Sequence, residues 1–351
     1  MNHSIRDLKS GNKRRQLLEA LRERIISGEF PPGSRFPSYG QLAARVNTGK
    51  ATLQYVIERL KESGFLIGVE RRGLFIPEQL PCFRNFAILL QDADEHENRF
   101  WEKIFAAALA PDRDFHFIAF RGMRDPSPEK FQQLQTLLEN RIIGGVLILH
   151  QISSACYSLL AQYPQVPKAG FRGSRDWGLA ESFTYLDLSD EEFCVCLRKA
   201  LQQHGIKRLA VITRDLHPLE EHLAEECRSH GIEVPPELML AIPARNPAKC
   251  RTVIRLLLLL PPELRPDGIF VFDDNLLDDV VAALAEAPQR ETVQLFSKQN
   301  FPDDTRYPLP VCMIGFDCSL CIDRAVSAFR NFLHTGQFGA VQVAPHLVES
   351  R

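Results

Sequence analysis

Apolar positions recur every three or four residues in the first part of the chain, and gather into short unbroken runs after about residue 85. Leu17, Leu21 and Ile25, with Leu18 alongside, mark the inner face of a helix. SGEFPPGSRFPS, rich in Gly and Pro, ends it. Ser38-x-x-Gln41 has the capping-box spacing and opens a second, short helix carrying Leu42, Ala43 and Val46. After the turn Asn47-Thr48-Gly49, the residues Leu53, Val56, Ile57 and Leu60 stand at i, i+3, i+4 and i+7, which predicts a third helix that Gly64 ends. Phe65–Val69 and Leu74–Ile76 predict two short strands around Glu70-Arg71-Arg72-Gly73. Helix, helix, turn, helix and hairpin is the order of a winged helix-turn-helix, placed at residues 1–76.

PEQLPCFRN, residues 77–85, has two prolines and reads as a linker. Beyond it, the runs FAILL (86–90), FHFIAF (115–120), GVLILH (145–150), RLAVIT (208–213), GIFVF (268–272) and VQLF (293–296) are separated by segments of helix length. Repeated strand–helix units imply a parallel sheet covered on both faces, so the fold class is α/β. Ligands of such sheets bind outside the carboxyl ends of the strands. VIRLLLLLPP, at 253–262, contains Arg255 and stops at two prolines; it is too short to span a bilayer and reads as a buried helix end. No membrane partner is expected.

Charge sharpens this division. The chain has 351 residues, enough for two or three domains, with an ordinary 45% hydrophobic and 25% charged composition that argues against disordered, collagen-like and coiled-coil classes. Its net charge of −2 conceals an asymmetry: residues 1–80 carry 14 Lys/Arg against 8 Asp/Glu, net +6, and the remainder carries 28 against 36, net −8. A basic head on an acidic body points to a polyanionic partner for the head alone. The start, MNHSIRDLKSGNKRRQ, has no apolar core segment of an export signal, so a cytoplasmic location with reduced thiols is expected for its nine cysteines. Cys318-x-x-Cys321 and Cys194-x-Cys196 lack a second pair or a His at zinc spacing, and neither metal nor cofactor is expected. Gly49-Lys50-Ala51-Thr52 is not a phosphate loop, because Ala44 stands where that motif needs glycine. With no GxGxxG after a strand, no GxSxG and no HExxH, and with Asp273 and Asp274 adjacent and pointing apart, an α/β enzyme is the distant alternative.

The third helix fits a major groove, and its outer side offers Lys50, Ala51, Gln54 and Tyr55. Gln54 suits adenine and Ala51 a thymine methyl, while Lys50 and Tyr55 reach phosphate or base. Ser38, Thr48 and Thr52 suit phosphates, and Arg71, Arg72 and Gly73 form a wing tip for phosphate or minor groove. FPSYGQLAARVNTGKATLQYVIERLKESGFL with VERRGLFI resembles the GntR-family winged-helix DNA-binding domain over about residues 13–76. It departs from the family pattern at Tyr39-Gly40, usually Glu-Arg, at Gly49-Lys50, usually Ser-Arg, and at Gln54, usually Arg. Because one such head reads few bases, a homodimer on double-stranded DNA is expected.

NFAILLQDADEHENRFWEKIFAAAL, RIIGGVLIL, LQQHGIKRLAVIT, GIFVFDDNLLDDVVAAL and VAPHLVESR together resemble the LacI/GalR effector domain, itself similar to periplasmic sugar-binding proteins. Such a head on such a body is similar to AraR-type regulators. The resemblance implies a two-subdomain periplasmic-binding-protein-like parallel α/β domain over 86–351, with subdomains at 86–186 plus 299–316 and at 187–298 plus 317–351. A small-molecule effector, a carbohydrate by resemblance, would bind between them. Candidates at strand ends are Asp92, Asn98, Phe100, Trp101, His150, Arg172, Asp215, Asp274 and Gln299, with Asp274 in the place of a ligand-contacting acid. Many relatives carry an Arg where Leu219 stands here, counting back from Gly231-Ile232. The implied function is a DNA-binding transcriptional regulator, in the first instance a repressor; the alternative is a regulator that has lost its small-molecule response.

Overall fold

The computed structural model describes residues 13–46, 48–91, 99–171, 182–214, 218–243, 246–288, 290–302 and 305–349. In the head, α1 (Lys13–Ile26) turns Leu17, Leu21 and Ile25 inward, α2 (Tyr39–Val46) adds Leu42 and Val46, and α3 (Lys50–Glu62) closes the core with Leu53, Val56, Ile57 and Leu60. The capping box forms in both directions: the Ser38 N–H donates to Gln41 Oε1 at 2.9 Å, and the Gln41 N–H to Ser38 Oγ at 3.4 Å. Gly64 takes φ 75° just after α3, where the left-handed region suits a residue without Cβ.

The wing is shorter than the pattern predicts. β1 is Ile67–Val69 and β2 is Gly73–Phe75, antiparallel, with Val69 opposite Gly73. Phe65 and Leu66 stay out of the strand because both their N–H groups donate to the Leu60 carbonyl, which finishes α3, and both side chains are buried. The loop before α2 joins the wing instead: the Phe36 N–H donates to the Leu74 carbonyl at 2.8 Å and the Ile76 N–H to the Ser34 carbonyl at 2.9 Å.

Segment 77–85 is not an open linker. Leu80 and Cys82 are buried in the head's own core, and α4 (Pro81–Arg84) runs directly into β3 (Asn85–Leu89). Pro81 suits the first position of a helix as well as it suits a loop, which is why composition alone misplaces it.

The chain then alternates: α5 (Arg99–Ala108), β4 (His116–Phe120), α6 (Pro128–Glu139), β5 (Val146–Ile148), α7 (Ser154–Ala161), β6 (Lys168–Phe171), β7 (Phe183–Leu188), α8 (Asp190–Gln203), β8 (Leu209–Thr213), α9 (Pro218–Ser229), β9 (Met239–Ala241), α10 (Pro247–Leu259), β10 (Gly268–Val271), α11 (Leu277–Ala285), β11 (Gln294–Lys298), β12 (Val311–Gly315), α12 (Cys318–Thr335), β13 (Gln342–Val343) and β14 (His346–Glu349). Two compact units result. The first gathers the described residues within 1–94, 109–185 and 325–341, and the second those within 95–108, 186–324 and 342–351.

These limits differ from the expected subdomains. Residues 299–316 fall in the second unit because β12 is hydrogen-bonded between β11 and β14. Residues 325–341 fall in the first, where Phe329 stacks on Phe86 of β3 and fills the space that a side chain on Gly145 would need. The head also belongs to the first unit.

In the first unit β4, β3, β5 and β6 are neighbours in that order and parallel, with β7 next to β6. In the second the order is β9, β8, β10, β11, β12, all parallel, closed at the edge by antiparallel β14. Sequence order therefore reverses between β8 and β10. α10 is amphipathic rather than fully buried: Ile254, Leu257 and Leu258 face the core while Leu256 and Leu259 are exposed. Among the described residues all cysteines are free thiols, no group of three His, Cys, Asp or Glu side chains is arranged to hold a metal ion, and no helix is long and apolar enough to cross a membrane.

Candidate nucleic-acid interface and ligand cleft

Burying the Leu53–Leu60 stripe forces the opposite side of α3 outward. Lys50, Ala51 and Gln54 are exposed, and Thr48, Thr52 and Tyr55 are half-buried at the margin. The Gln54 amide donates to Glu58 Oε1 at 3.3 Å, one turn along, which steers its carbonyl oxygen. Tyr55 lies between two guanidinium groups, Arg14 at 5.3 Å and Arg59 at 5.7 Å from its ring centre, and Arg59 Nε donates to its hydroxyl at 3.5 Å. Arg14 and Arg59 extend the positive face. The signal for Arg59 was its place one helical turn after Tyr55. Ser38 Oγ accepts the Gln41 N–H and keeps its own proton to donate.

At the wing tip the Arg72 N–H donates to the Val69 carbonyl at 3.0 Å, closing a turn that puts Arg71 at φ 57° and Gly73 at φ 102°. Arg71 and Arg72 project into solvent, and the Arg72 guanidinium leans over the Phe75 ring. This gives a groove-sized helix and a cationic tip on one small core, which can hold a polyanion and present an amide to base edges.

The second site lies at the reversal of strand order, the place where open α/β sheets bind ligands. A cleft of about 380 Å³ opens there, within the second unit. Thr213 ends β8 and Arg214 follows it, Phe272, Asp273, Asp274 and Asn275 follow β10, Lys298 ends β11 with Asn300 two residues beyond, and Phe316 follows β12. Phe100 of α5, Leu188 and Glu220 complete the lining. A larger cavity of about 590 Å³, with His204, Arg290 and Pro308 in its wall, opens at the amino ends of β11 and β12, the end of the sheet away from this cleft.

Asp273 and Asp274 differ sharply. Asp273 Oδ1 accepts from the Asn275 N–H at 3.0 Å and from Asn275 Nδ2 at 2.7 Å, and its other oxygen stands 3.5 Å from Arg214 Nε. Asp274 is 8% exposed, and its Oδ2 is buried without a hydrogen-bond partner. Burial pushes the Asp274 carboxyl up to about 6, with Asp273 adding to the rise and Lys103, Arg99 and Lys298 opposing it. Burial also draws the Lys298 ammonium below its ordinary value, against the pull of Asp190, Asp274 and Glu220. That ammonium sits 4.9 Å from the centre of the Phe272 ring and 5.2 Å from that of Phe193. Thr213 Oγ1 donates to the buried Glu220 at 2.8 Å, and Lys103 Nζ donates to the Asn300 carbonyl at 2.6 Å. The cleft thus offers aromatic faces, a carboxylate acceptor awaiting a donor, and two cations.

Of the expected ligand residues, Asp274 and Phe100 line this cleft. Trp101 packs its ring 4.7 Å from that of Phe100 and is not in the lining. Gln299 is buried between two lining residues; strand alternation turns Lys298 and Asn300 toward the cleft and Gln299 away. His150 follows β5 in the first unit. Asp92, Asn98, Arg172 and Asp215 lie outside the described residues. Thr213, Arg214, Glu220, Lys298 and Asn300 escaped the sequence reading, although four of them stand at the carboxyl ends of runs it had located. Leu219, where a relative's arginine was missed, is in the first turn of α9, but Arg214 brings a guanidinium to the cleft from the end of β8.

Residues 13–76 match the model of the bacterial regulatory proteins of the gntR family. The HTH-type transcriptional regulator TauR of Rhodobacter capsulatus is 32% identical over 82 residues, 23% of this chain; the match spans only 17% of that relative's length. Among solved structures, a LacI family transcriptional regulator from Bifidobacterium animalis subsp. lactis is similar at 15% identity with a TM-score of 0.55, over 76% of this chain and 96% of that one. A LacI-type regulator from Bacillus cereus subsp. cytotoxis is similar at 15% identity and a TM-score of 0.54, over the same shares. Residues 13–76 are therefore a gntR-type helix-turn-helix domain, and the larger part of the chain has the fold of these LacI-type structures.

Proposed function

We propose, from a gntR-type head joined to a LacI-type body, that this chain is a transcriptional regulator, a repressor in the first instance, which binds operator DNA as a homodimer. A small polyhydroxylated metabolite, a sugar by class, would bind in the second unit's cleft and change operator affinity. The observation that carries the effector half is the buried, unpartnered Asp274 Oδ2 at the strand-order reversal. Leaving a buried acceptor unmet is costly, and a ligand hydroxyl would meet it. Phe100, Phe272 and Phe316 supply ring faces for stacking, and Arg214, Lys298 and Asn300 supply donors for further hydroxyls. Lys50, Ala51, Gln54 and Tyr55 would read base edges, while Ser38, Thr48, Thr52, Arg71, Arg72 and Gly73 would hold the phosphate backbone.

A thermal-shift screen of neutral sugars and sugar phosphates tests the effector half. The expected result is at least one ligand that raises the melting temperature of the parent protein and leaves Asp274→Asn unmoved. Failure of every such ligand to shift the parent would favour the regulator without small-molecule response.

A further inference from the structure

We propose that Arg22 and Arg141 are positioning residues that clamp the DNA-reading head onto the rest of the first unit in one orientation, with no swivelling linker between them. Arg22 is 1% exposed although it lies on α1 among the outward-facing polar residues. Its Nη1 donates to the Glu139 carbonyl at the end of α6, 2.7 Å away, and its Nη2 reaches Ser63 Oγ at 3.5 Å. Arg141, two residues past the end of α6, holds the left-handed φ of 54° that a non-glycine residue seldom adopts, and its buried guanidinium donates to Glu23 of α1 at 2.8 Å. Each side thus sends one buried arginine to the other. Both keep a buried Nε without a hydrogen-bond partner; the Arg22 charge is paired with Glu19 of its own helix at 2.9 Å while its Nη1 also crosses to the Glu139 carbonyl, and the carboxylate that Arg141 meets, Glu23, lies across the seam.

The covalent connection is packed as tightly. Pro81 lies where a side chain on Gly64 would go, and the Cys82 carbonyl fills the space that a side chain on Gly144 would need. Phe83 stacks on His334 with ring centres 4.6 Å apart, Arg330 Nε donates to the Phe83 carbonyl at 3.0 Å, and Leu333 packs against the head's core. A sequence-specific head needs no such fixture to bind one half-site. A fixed head is what lets the body dictate the separation of two half-sites in a dimer.

The inference rests on the DNA-binding reading for its purpose but not for its geometry, and two measurements on the full chain separate them. Limited trypsin digestion reads the joint directly, because Arg84 is exposed within it. The parent should be cut after Arg84 at least tenfold more slowly than after wing-tip Arg71 or Arg72. Glu23→Lys, a change at a half-exposed site that leaves the head's core intact, and Arg22→Leu should each speed the Arg84 cut at least tenfold, while the body's melting transition stays in place. Equal cutting at Arg84 and the wing tip in the parent, or no acceleration in either variant, overturns the clamp. In a selection with variable spacers between half-sites, the parent should accept a narrow range of spacers and Glu23→Lys a broad one, with the half-site sequence unchanged. An unchanged spacer range in Glu23→Lys overturns the positioning role. Absence of any enriched half-site for the parent would instead remove the DNA-binding reading and leave the digestion result to decide the clamp.

Discussion

Asp273 and Asp274 are neighbours in sequence with opposite circumstances. Asp273 spends one oxygen on the Asn275 backbone and side chain and sets the other toward Arg214, whereas Asp274 is buried with Oδ2 unmatched in the cleft wall. The residue that caps the following turn is Asp273, so a ligand role for Asp274 does not compete with a capping one.

The first prediction follows from that division. Asp274→Asn should abolish the effector response and leave operator affinity in the absence of effector nearly unchanged. It should also raise the melting temperature at pH 7, because a carboxyl held near 6 rather than its ordinary 3.8 costs the folded state about 3 kcal/mol. Calorimetric titration and a melting curve check both. A lowered melting temperature with intact effector affinity would make Asp274 a structural residue.

The same shift sets a pH dependence. The folded state holds the Asp274 proton more tightly than the unfolded chain does, so this group favours folding at low pH, and the advantage is lost as pH rises from about 4 to about 6. Effector binding runs the other way, since the ionised carboxylate accepts the ligand's hydroxyls through both oxygens and more strongly than the protonated acid. Effector affinity should fall as pH drops below 6, and any residual affinity that Asp274→Asn keeps should not follow that fall. A fall of equal size in the variant would assign the pH effect to another group.

On the DNA side, Gln54→Ala should relax base preference at one position of each half-site by about 1–3 kcal/mol. Glu58→Ala should weaken the same preference less, since Glu58 orients the Gln54 amide rather than touching DNA. Arg72→Ala should lower affinity for all sequences alike and reduce the slope of log affinity against log salt by about one. Competition binding over a panel of single-base variants distinguishes these outcomes, and an unchanged panel for Gln54→Ala removes it from the readout.

Much of this was legible in the residue pattern. The buried stripe of α3, the capping box of α2 and the glycine after α3 are local features, and local chemistry decides them. The strands flanking the cleft were legible as apolar runs, but the side chains entering the cleft were not. Strand alternation and register admit Lys298 and Asn300 and turn Gln299 away, and a polar tripeptide after an apolar run does not announce which member faces inward. The wing was drawn too long because Phe65 and Leu66 are apolar for the sake of the core. The seam was invisible for a different reason. Arg22 reads as one more charge on the polar face of α1 and Arg141 as a loop residue. Their burial depends on an approach between segments more than a hundred residues apart, and composition at 77–85 suggested the opposite.

The central claim is that this chain reads DNA with α3 and the wing. In vitro selection from random duplex DNA with the full chain tests it most directly, alongside a variant in which Lys50, Gln54 and Arg72 are all alanine. The expected result is enrichment of two similar half-sites by the parent and none by the variant. No sequence enriched over the input by the parent, or the same sequences enriched by the variant, would contradict it.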